Sequence, residues 1–243
     1  MVENFIKPNW PAAKTVHAFT TTRQNGYSKS PYNAFNLASH VKDDIKSVIA
    51  NRKLLKQQLN LPNEPTWLNQ RHENIVIDAS EPSTYEADGA YTNQKDVICT
   101  VLTADCLPIL LCNSEGTEIA ALHAGWRGLT KNIIESGIKK FINKPQSILA
   151  WLGPAIGPEA FEVGESEQKQ FLELDPQTKT AFKQSQQNKW KMNIYKIAEQ
   201  QLLNLGVTKI FSSNLCTYTN EKLFYSYRRN NQTGRMASLI WLS

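Results

Sequence analysis

The stretch Val97–Gly128, VICTVLTADCLPILLCNSEGTEIAALHAGWRG, holds three apolar runs separated by two polar breaks, and then a glycine-flanked turn. Runs of this length, rich in Val, Ile and Leu, read as buried strands. The expected strands are Val97–Leu102, Pro108–Cys112 and Glu118–His123. Gly125 and Gly128 then introduce a helix through about Phe141, with Ile133, Ile134, Gly137, Ile138 and Phe141 on one face. The most apolar part, Val97–Cys112, is interrupted by Asp105 and Pro108 and is too short to cross a bilayer.

Working outward, Val16–Thr22 reads as a strand and Gln24–Asn33, with Gly26 and Pro31, as a loop. Asp43 or Asp44 caps a helix whose apolar positions are Ile45, Val48, Ile49, Leu55 and Leu59. Short strands are expected at Thr66–Asn69 and Ile75–Asp78. On the C-terminal side, Ser147–Leu152 reads as another buried strand, and the polar stretch 165–189 as helices with a loop at Asp175-Pro176. Asn193 caps a further helix that Gly206 stops. Strands at Lys209–Ser212, Leu223–Ser226 and Met236–Leu242 complete the chain. Strands and helices mix without strict βαβ alternation. The expectation is therefore an α/β (α+β mixed) fold, with residues 1–243 forming a single layered domain whose mixed β-sheets are flanked by helices.

The 243 residues carry 27 Lys and Arg against 22 Asp and Glu, a net charge of +5. The excess is uneven, since residues 61–130 hold 3 basic and 10 acidic side chains. The one dense basic spot is Arg228-Arg229 with Arg235 nearby, which argues against nucleic acid as a partner. No apolar leader precedes the first strand, and Cys99, Cys106, Cys112 and Cys216 form no CxxC pair. A reducing, cytoplasmic setting without a membrane partner follows. Nothing in the pattern specifies an oligomeric state.

Four histidines make a short list. His17 lies within the first strand and His40 just before the capped helix, where packing or a structural hydrogen bond suffices. His72 follows the strand at 66–69. His123 ends a very apolar strand, at a glycine-rich turn of the kind that often carries function. Cys106 sits in the break between two strands, which brings it toward the same end of the sheet. Two His and one Cys suit zinc, with a fourth position left open for water or substrate. A Cys106–His123 nucleophile–base pair and plain core packing remain open alternatives.

Longer motifs then come into view: Thr103-Ala104-Asp105-Cys106-Leu107-Pro108-Ile109-Leu110-Leu111, His123-Ala124-Gly125-Trp126-Arg127-Gly128, Gly153-Pro154-Ala155-Ile156-Gly157-Pro158, Phe161-Glu162-Val163-Gly164, Tyr227-Arg228-Arg229 and Thr233-Gly234-Arg235-Met236-Ala237. In this order they resemble the laccase-domain or polyphenol-oxidase family of bacterial proteins, related to a vertebrate macrophage purine-metabolism enzyme. The resemblance runs from about Val16 to Leu242. It implies a zinc site of His72, Cys106 and His123, and purine nucleoside phosphorylase activity on adenosine, inosine and methylthioadenosine, with adenosine deaminase activity beside it. It also implies a fold similar to that of a bacterial deamidating toxin. The sequence departs from the family pattern at Glu73, Ser166 and Asn230-Asn231, none of them a ligand in this reading.

The name laccase can be tested by counting. A multicopper oxidase needs several coppers held mostly by histidine, and four histidines cannot supply them. Copper in place of zinc at one site would make phenol oxidation a side activity. Deamination needs a carboxylate as proton shuttle beside an activated water, and Asp105 and Glu73 are the near candidates. Asp105 adjoins Cys106 and should point away from it on an extended backbone, in a structural role. Phosphorolysis needs an anion pocket, for which Arg23, Arg127, Arg228, Arg229 and Arg235 are available. Tyr27, Tyr32, Phe35, Trp126 and Tyr227 could stack on a purine. The rival readings are a metal-free Cys106–His123 thiol hydrolase or deamidase, which has no need of His72, and a non-enzymatic partner in cell-envelope metabolism.

Overall fold

The computed structural model describes residues 4–243. In chain order the elements are β1 (Phe5–Ile6), β2 (Val16–Thr21), α1 (Ile45–Leu59), β3 (Val76–Asp78), β4 (Gly89–Thr92), β5 (Cys99–Thr103), β6 (Leu107–Asn113) and β7 (Ile119–Ala124). Then come α2 (Trp126–Thr130), α3 (Ile133–Ile138), β8 (Ile148–Leu152), β9 (Glu162–Gly164), α4 (Glu165–Leu174), β10 (Phe182–Gln186), β11 (Lys189–Met192), α5 (Ile194–Asn204), β12 (Lys209–Ser212) and β13 (Met236–Leu242).

Two sheets face each other. The larger runs β12-β8-β6-β7-β4-β3, parallel at both edge pairs and antiparallel between. The smaller, β1-β2-β13-β5, is antiparallel throughout. Side-chain alternation sorts the strands of the larger sheet between two cores. Leu107, Ile109 and Leu111 of β6 pack toward α2, α3 and α5, whereas Leu110 and Cys112 meet Val101 of β5 and Ile240 of β13 between the sheets. The outer face of the smaller sheet, with Leu239 and Trp241, packs on Leu55 of α1. The layers are thus helix, sheet, sheet, helix, in one mixed α/β domain. Strands covered on both faces need no polar side, which is why Val97–Ala124 is so uniformly apolar.

Several local expectations are corrected. The helix expected from Gly125 to Phe141 is two short ones, because Asn132 adopts a left-handed backbone at φ 64°. Of Thr66–Asn69 only Thr66 pairs, with Cys99, and Leu223–Ser226 forms no strand. The segment 165–189 is helical only as far as Ala181, and then forms the β10–β11 hairpin, whose exposed polar faces hid it from a hydrophobic pattern. In α1, Asp44 is the cap, but Ile45 and Ile49 are exposed and the inward residues are Val48, Asn51 and Leu55. Asn51 turns inward because its amide donates to Ser28 Oγ and to the carbonyls of Ala34 and Asn36, tying the loop before α1 to the helix. β4 and β9 escaped the sequence pattern. Among the described residues no helix is long and apolar enough to cross a membrane.

Candidate metal centre

The two sheets are joined at the turn from β5 into β6, and that turn carries Asp105 and Cys106. Asp105 takes a positive φ of 90°. Its carboxylate accepts from Thr217 Oγ1 at 2.6 Å, Ser226 Oγ at 3.0 Å and the Arg228 N–H at 2.7 Å. It therefore fastens the turn to the C-terminal loops, while Cys106 beside it reaches the two histidines.

Next to Cys106 lie His72 and His123. One ligand atom from each residue falls within 4.8 Å of the others. Cys106 Sγ is 3.9 Å from His72 Nε2, and the two imidazole rings meet edge-on at 4.8 Å between centroids. His72 is held by its backbone, left-handed at φ 61°. The preceding Gln70 is bonded at both ends of its amide to the backbone of Leu102 in β5.

Asp88, fully buried just before β4, organises the rest. Its carboxylate accepts the backbone N–H groups of Arg71, His72 and Glu73 at 3.0, 2.9 and 2.8 Å. It also takes the Nδ1 proton of His123 at 2.7 Å. That bond commits Nδ1 as donor and leaves Nε2 of His123 as the free lone pair, an arrangement common behind metal-bound histidines. Gly125 gives the cluster room: a Cβ at that position would crowd it, at 3.0 Å from Cys106 Sγ and 3.2 Å from the His72 ring.

Charge is balanced around a cation-sized gap. Burial pushes the Cys106 thiol up, but the facing His123 and His72 outweigh it and hold the thiol well below its usual value. Burial works against protonation of His123, while Cys106 and Asp88 together raise it. Burial likewise opposes ionisation of Asp88, and His123 and the backbone N–H groups overcome it. A thiolate and a carboxylate thus favour one positive charge between them, and a divalent cation meets the same demand as an imidazolium. The donor set, the fixed tautomer and the side-chain-free wall at Gly125 all fit a metal ion.

The three clustered side chains lie in a cavity of about 540 Å³. Of the arginines considered for phosphate, Arg127, Arg228 and Arg235 line it. Arg127 stacks on Trp126, and Arg228 donates to the carbonyls of Ala160 and Glu162. Arg23 lies at a separate surface depression, bonded to Asn33 O, and the Arg229 guanidinium is taken up by the carbonyls of Thr217, Tyr218 and Phe224. Glu73 pairs with Lys131 at 2.5 Å. Of the aromatic candidates Trp126 and Tyr227 reach the cavity, while Tyr32 and Phe35 are core residues and Tyr27 is exposed. His17 stacks on Trp241, away from the site, and His40 lines the cavity without joining the cluster. Sequence reasoning missed Asp88. The available signal was slight, an acid before a glycine, Asp88-Gly89, at the start of a short strand.

The chain matches the family described as multi-copper polyphenol oxidoreductase laccase over residues 17–243. It is 48% identical over 239 residues to a purine nucleoside phosphorylase of Haemophilus influenzae, covering 97% of this chain and 98% of that one. It is 46% identical to the purine nucleoside phosphorylase YfiH of Escherichia coli K12, covering 99% and 100%. Among solved structures, the Neisseria meningitidis protein NMB0706 superposes with a TM-score of 0.96 at 40% identity, covering 99% and 100%. YlmD from Geobacillus stearothermophilus superposes with 0.92 at 26% identity, covering 100% and 97%. By fold, by site and by descent, the chain belongs to the laccase-domain family that includes the bacterial YfiH-like purine nucleoside phosphorylases.

Proposed function

We propose that this protein is a zinc-dependent purine nucleoside phosphorylase of the cytoplasm, acting on adenosine, inosine or methylthioadenosine, with adenosine deaminase activity at the same site. The observation that carries the reading is the His72–Cys106–His123 cluster, backed by Asp88, opening into a cavity large enough for a nucleoside. Relatives that span nearly the whole chain are named for that activity.

Zinc held by the three side chains would supply a Lewis acid with one position open to the substrate. The chain's own residues do the rest. Asp88 orients His123 and, through three backbone N–H groups, the loop that presents His72. The cavity wall of Trp126, Ile156, Phe161 and Ile194 offers an apolar face to a purine. Arg127 and Arg228, the exposed arginines of the lining, make its mouth attractive to phosphate. In phosphorolysis a phosphate oxygen bonds to the ribose C1′ as the bond from C1′ to the purine nitrogen breaks, and the electron pair leaves with the purine. For deamination Asp105 is held by Thr217, Ser226 and the Arg228 N–H, which leaves Glu73, next to His72 and paired with Lys131 through one oxygen only, as the carboxylate to shuttle the proton. Copper in place of zinc at this single cluster would account for phenol oxidation as a side activity, and four histidines leave no room for a multicopper centre.

One observation favours a second reading. Cys106, His123 and Asp88 stand in the order nucleophile, base and orienting acid of a thiol hydrolase. His72 separates the two, since a triad has no use for it. Protein purified without added metal should contain about one zinc per chain, following the three-ligand site, and should release hypoxanthine from inosine only when phosphate is supplied. A metal-free protein in which iodoacetamide labels Cys106 rapidly would favour the thiol enzyme.

A further inference from the structure

The cavity has two unlike walls. Trp126, Ile156, Phe161 and Ile194 belong to the core on the helix side of the larger sheet. Facing them are groups from the smaller sheet and its loops: Arg235 at the start of β13, His40 before α1 and Gln70 pinned to β5. The ligand cluster stands at the junction, because Cys106 sits in the turn that passes from one sheet to the other.

Arg235 differs from the other two cavity arginines in how it is held. Its Nη1 donates to the carbonyls of Thr233 at 2.8 Å and Gly234 at 3.0 Å. Among the described residues its Nε and Nη2 donate to no protein acceptor, so the side-on fork of the guanidinium stays open. Its backbone N–H donates to Asn36 Oδ1 at 2.9 Å, and Asn36 is in turn fixed by Asp43 Oδ2 at 2.8 Å. The Tyr227 ring centroid lies 5.8 Å from the guanidinium carbon. Arg228, by contrast, has both terminal nitrogens committed to carbonyls. Arg127 is exposed and held only by its stack on Trp126. A planar fork with one terminal nitrogen anchored and the other edge free suits a tetrahedral oxyanion, which it can grip through two oxygens. No carboxylate competes for it, since the nearby Asp105 is occupied by Thr217, Ser226 and the Arg228 N–H. Partial burial together with Arg235, Arg52 and Arg71 holds His40 below its ordinary pKa, a sign that positive charge converges on this wall.

We infer that Arg235 is the residue that holds inorganic phosphate, on the wall opposite the purine, so that the ribose C1′ lies between them beside the ligand cluster. Asn36 acts as its positioning residue. The inference rests on the phosphorylase reading and adds the direction in which the substrates lie.

The test is steady-state phosphorolysis of inosine with phosphate and inosine varied separately, in Arg235→Gln, Arg235→Lys and Arg228→Gln. Loss of a bidentate charged contact should raise the KM for phosphate about tenfold or more in Arg235→Gln. Arg235→Lys, which keeps the charge without the fork, should show a smaller rise, and the KM for inosine should stay within about twofold. Metal content and melting temperature identify any variant that fails to fold, and Arg235→Lys then carries the test alone. An unchanged phosphate KM in a folded Arg235 variant overturns the inference, as does a rise confined to Arg228→Gln. If the wild type shows no phosphorolysis, the functional reading fails by itself. Thermal stabilisation by inorganic phosphate, present in the wild type and lost in Arg235→Gln, would then still support the anion site, and its persistence in the variant would overturn it.

Discussion

Asp88 and Glu118 are buried carboxylates at opposite ends of the same pair of strands, β4 and β7, roughly 16 Å apart along the sheet. Glu118 accepts from the Tyr91 hydroxyl at 2.7 Å, the Ile142 N–H at 2.7 Å, the Asn143 side chain at 2.5 Å and the Asn143 N–H at 3.3 Å, with the Asn113 side chain completing the set. Every donor there is neutral and none of them lines the cavity, so the charge ties the β7 start to the segment after α3. Asp88 has four donors, but one of them is an imidazole whose second nitrogen faces a cavity. The same device, a buried anion sated by hydrogen-bond donors, closes on itself at Glu118 and reaches the cavity at Asp88, where one donor has a second face.

If that contrast is right, variants at the cavity end should lose metal and chemistry while keeping the fold, and variants at the other end should do the reverse. The largest effect belongs to the ligands. His72→Asn, which suits the left-handed backbone, and Cys106→Ala should lower bound metal from about one per chain to near none. Phosphate-dependent base release should fall to background with it. Retained metal in either variant would break the contrast. Asp88→Asn comes next, because it frees the His123 tautomer while leaving the three ligands in place. Metal affinity measured by chelator competition should weaken about 10- to 100-fold. An Asp88→Asn protein that binds metal normally but melts early would make the two carboxylates alike.

How much of this was legible beforehand follows the same divide. The His72–Cys106–His123 cluster and the central strands declared themselves because His and Cys are scarce in the chain and the strands are apolar on both faces. Asp88 did not, because a carboxylate sated by backbone N–H groups is invisible until the loop at Arg71–Glu73 is folded against it. The open fork of Arg235 was equally hidden: five arginines looked equivalent in sequence, and only the carbonyls that each one meets tell them apart. The β10–β11 hairpin escaped for a simpler reason, since its sheet buries little and its residues follow no apolar pattern. Asn51, a polar residue on the inward face of α1, misled the helical face by one position for a related cause.

The smallest effect tests the structural end. Glu118→Gln replaces an acceptor oxygen with an amide that faces donors, a change that costs about 2 kcal/mol. For a chain of this length it should lower the melting temperature by about 4–8 °C. Metal content and the KM for phosphate should not move. The pH dependence gives the sign. Burial alone would raise the Glu118 carboxyl, but the bonds from Asn143, Ile142 and Tyr91 outweigh it and hold the folded value below the ordinary one of about 4.5. The unfolded chain therefore takes up the proton first as pH falls. The stability that Glu118 contributes is complete above its unfolded value, and drains away as pH drops through the folded one. Glutamine has nothing to titrate, so the gap in melting temperature between wild type and Glu118→Gln should be full at pH 7 and narrow on acidification below that ordinary value. A gap that is constant with pH would mean that the lost stability comes from shape and not from charge. The two carboxylates would then differ in kind as well as in what their donors face.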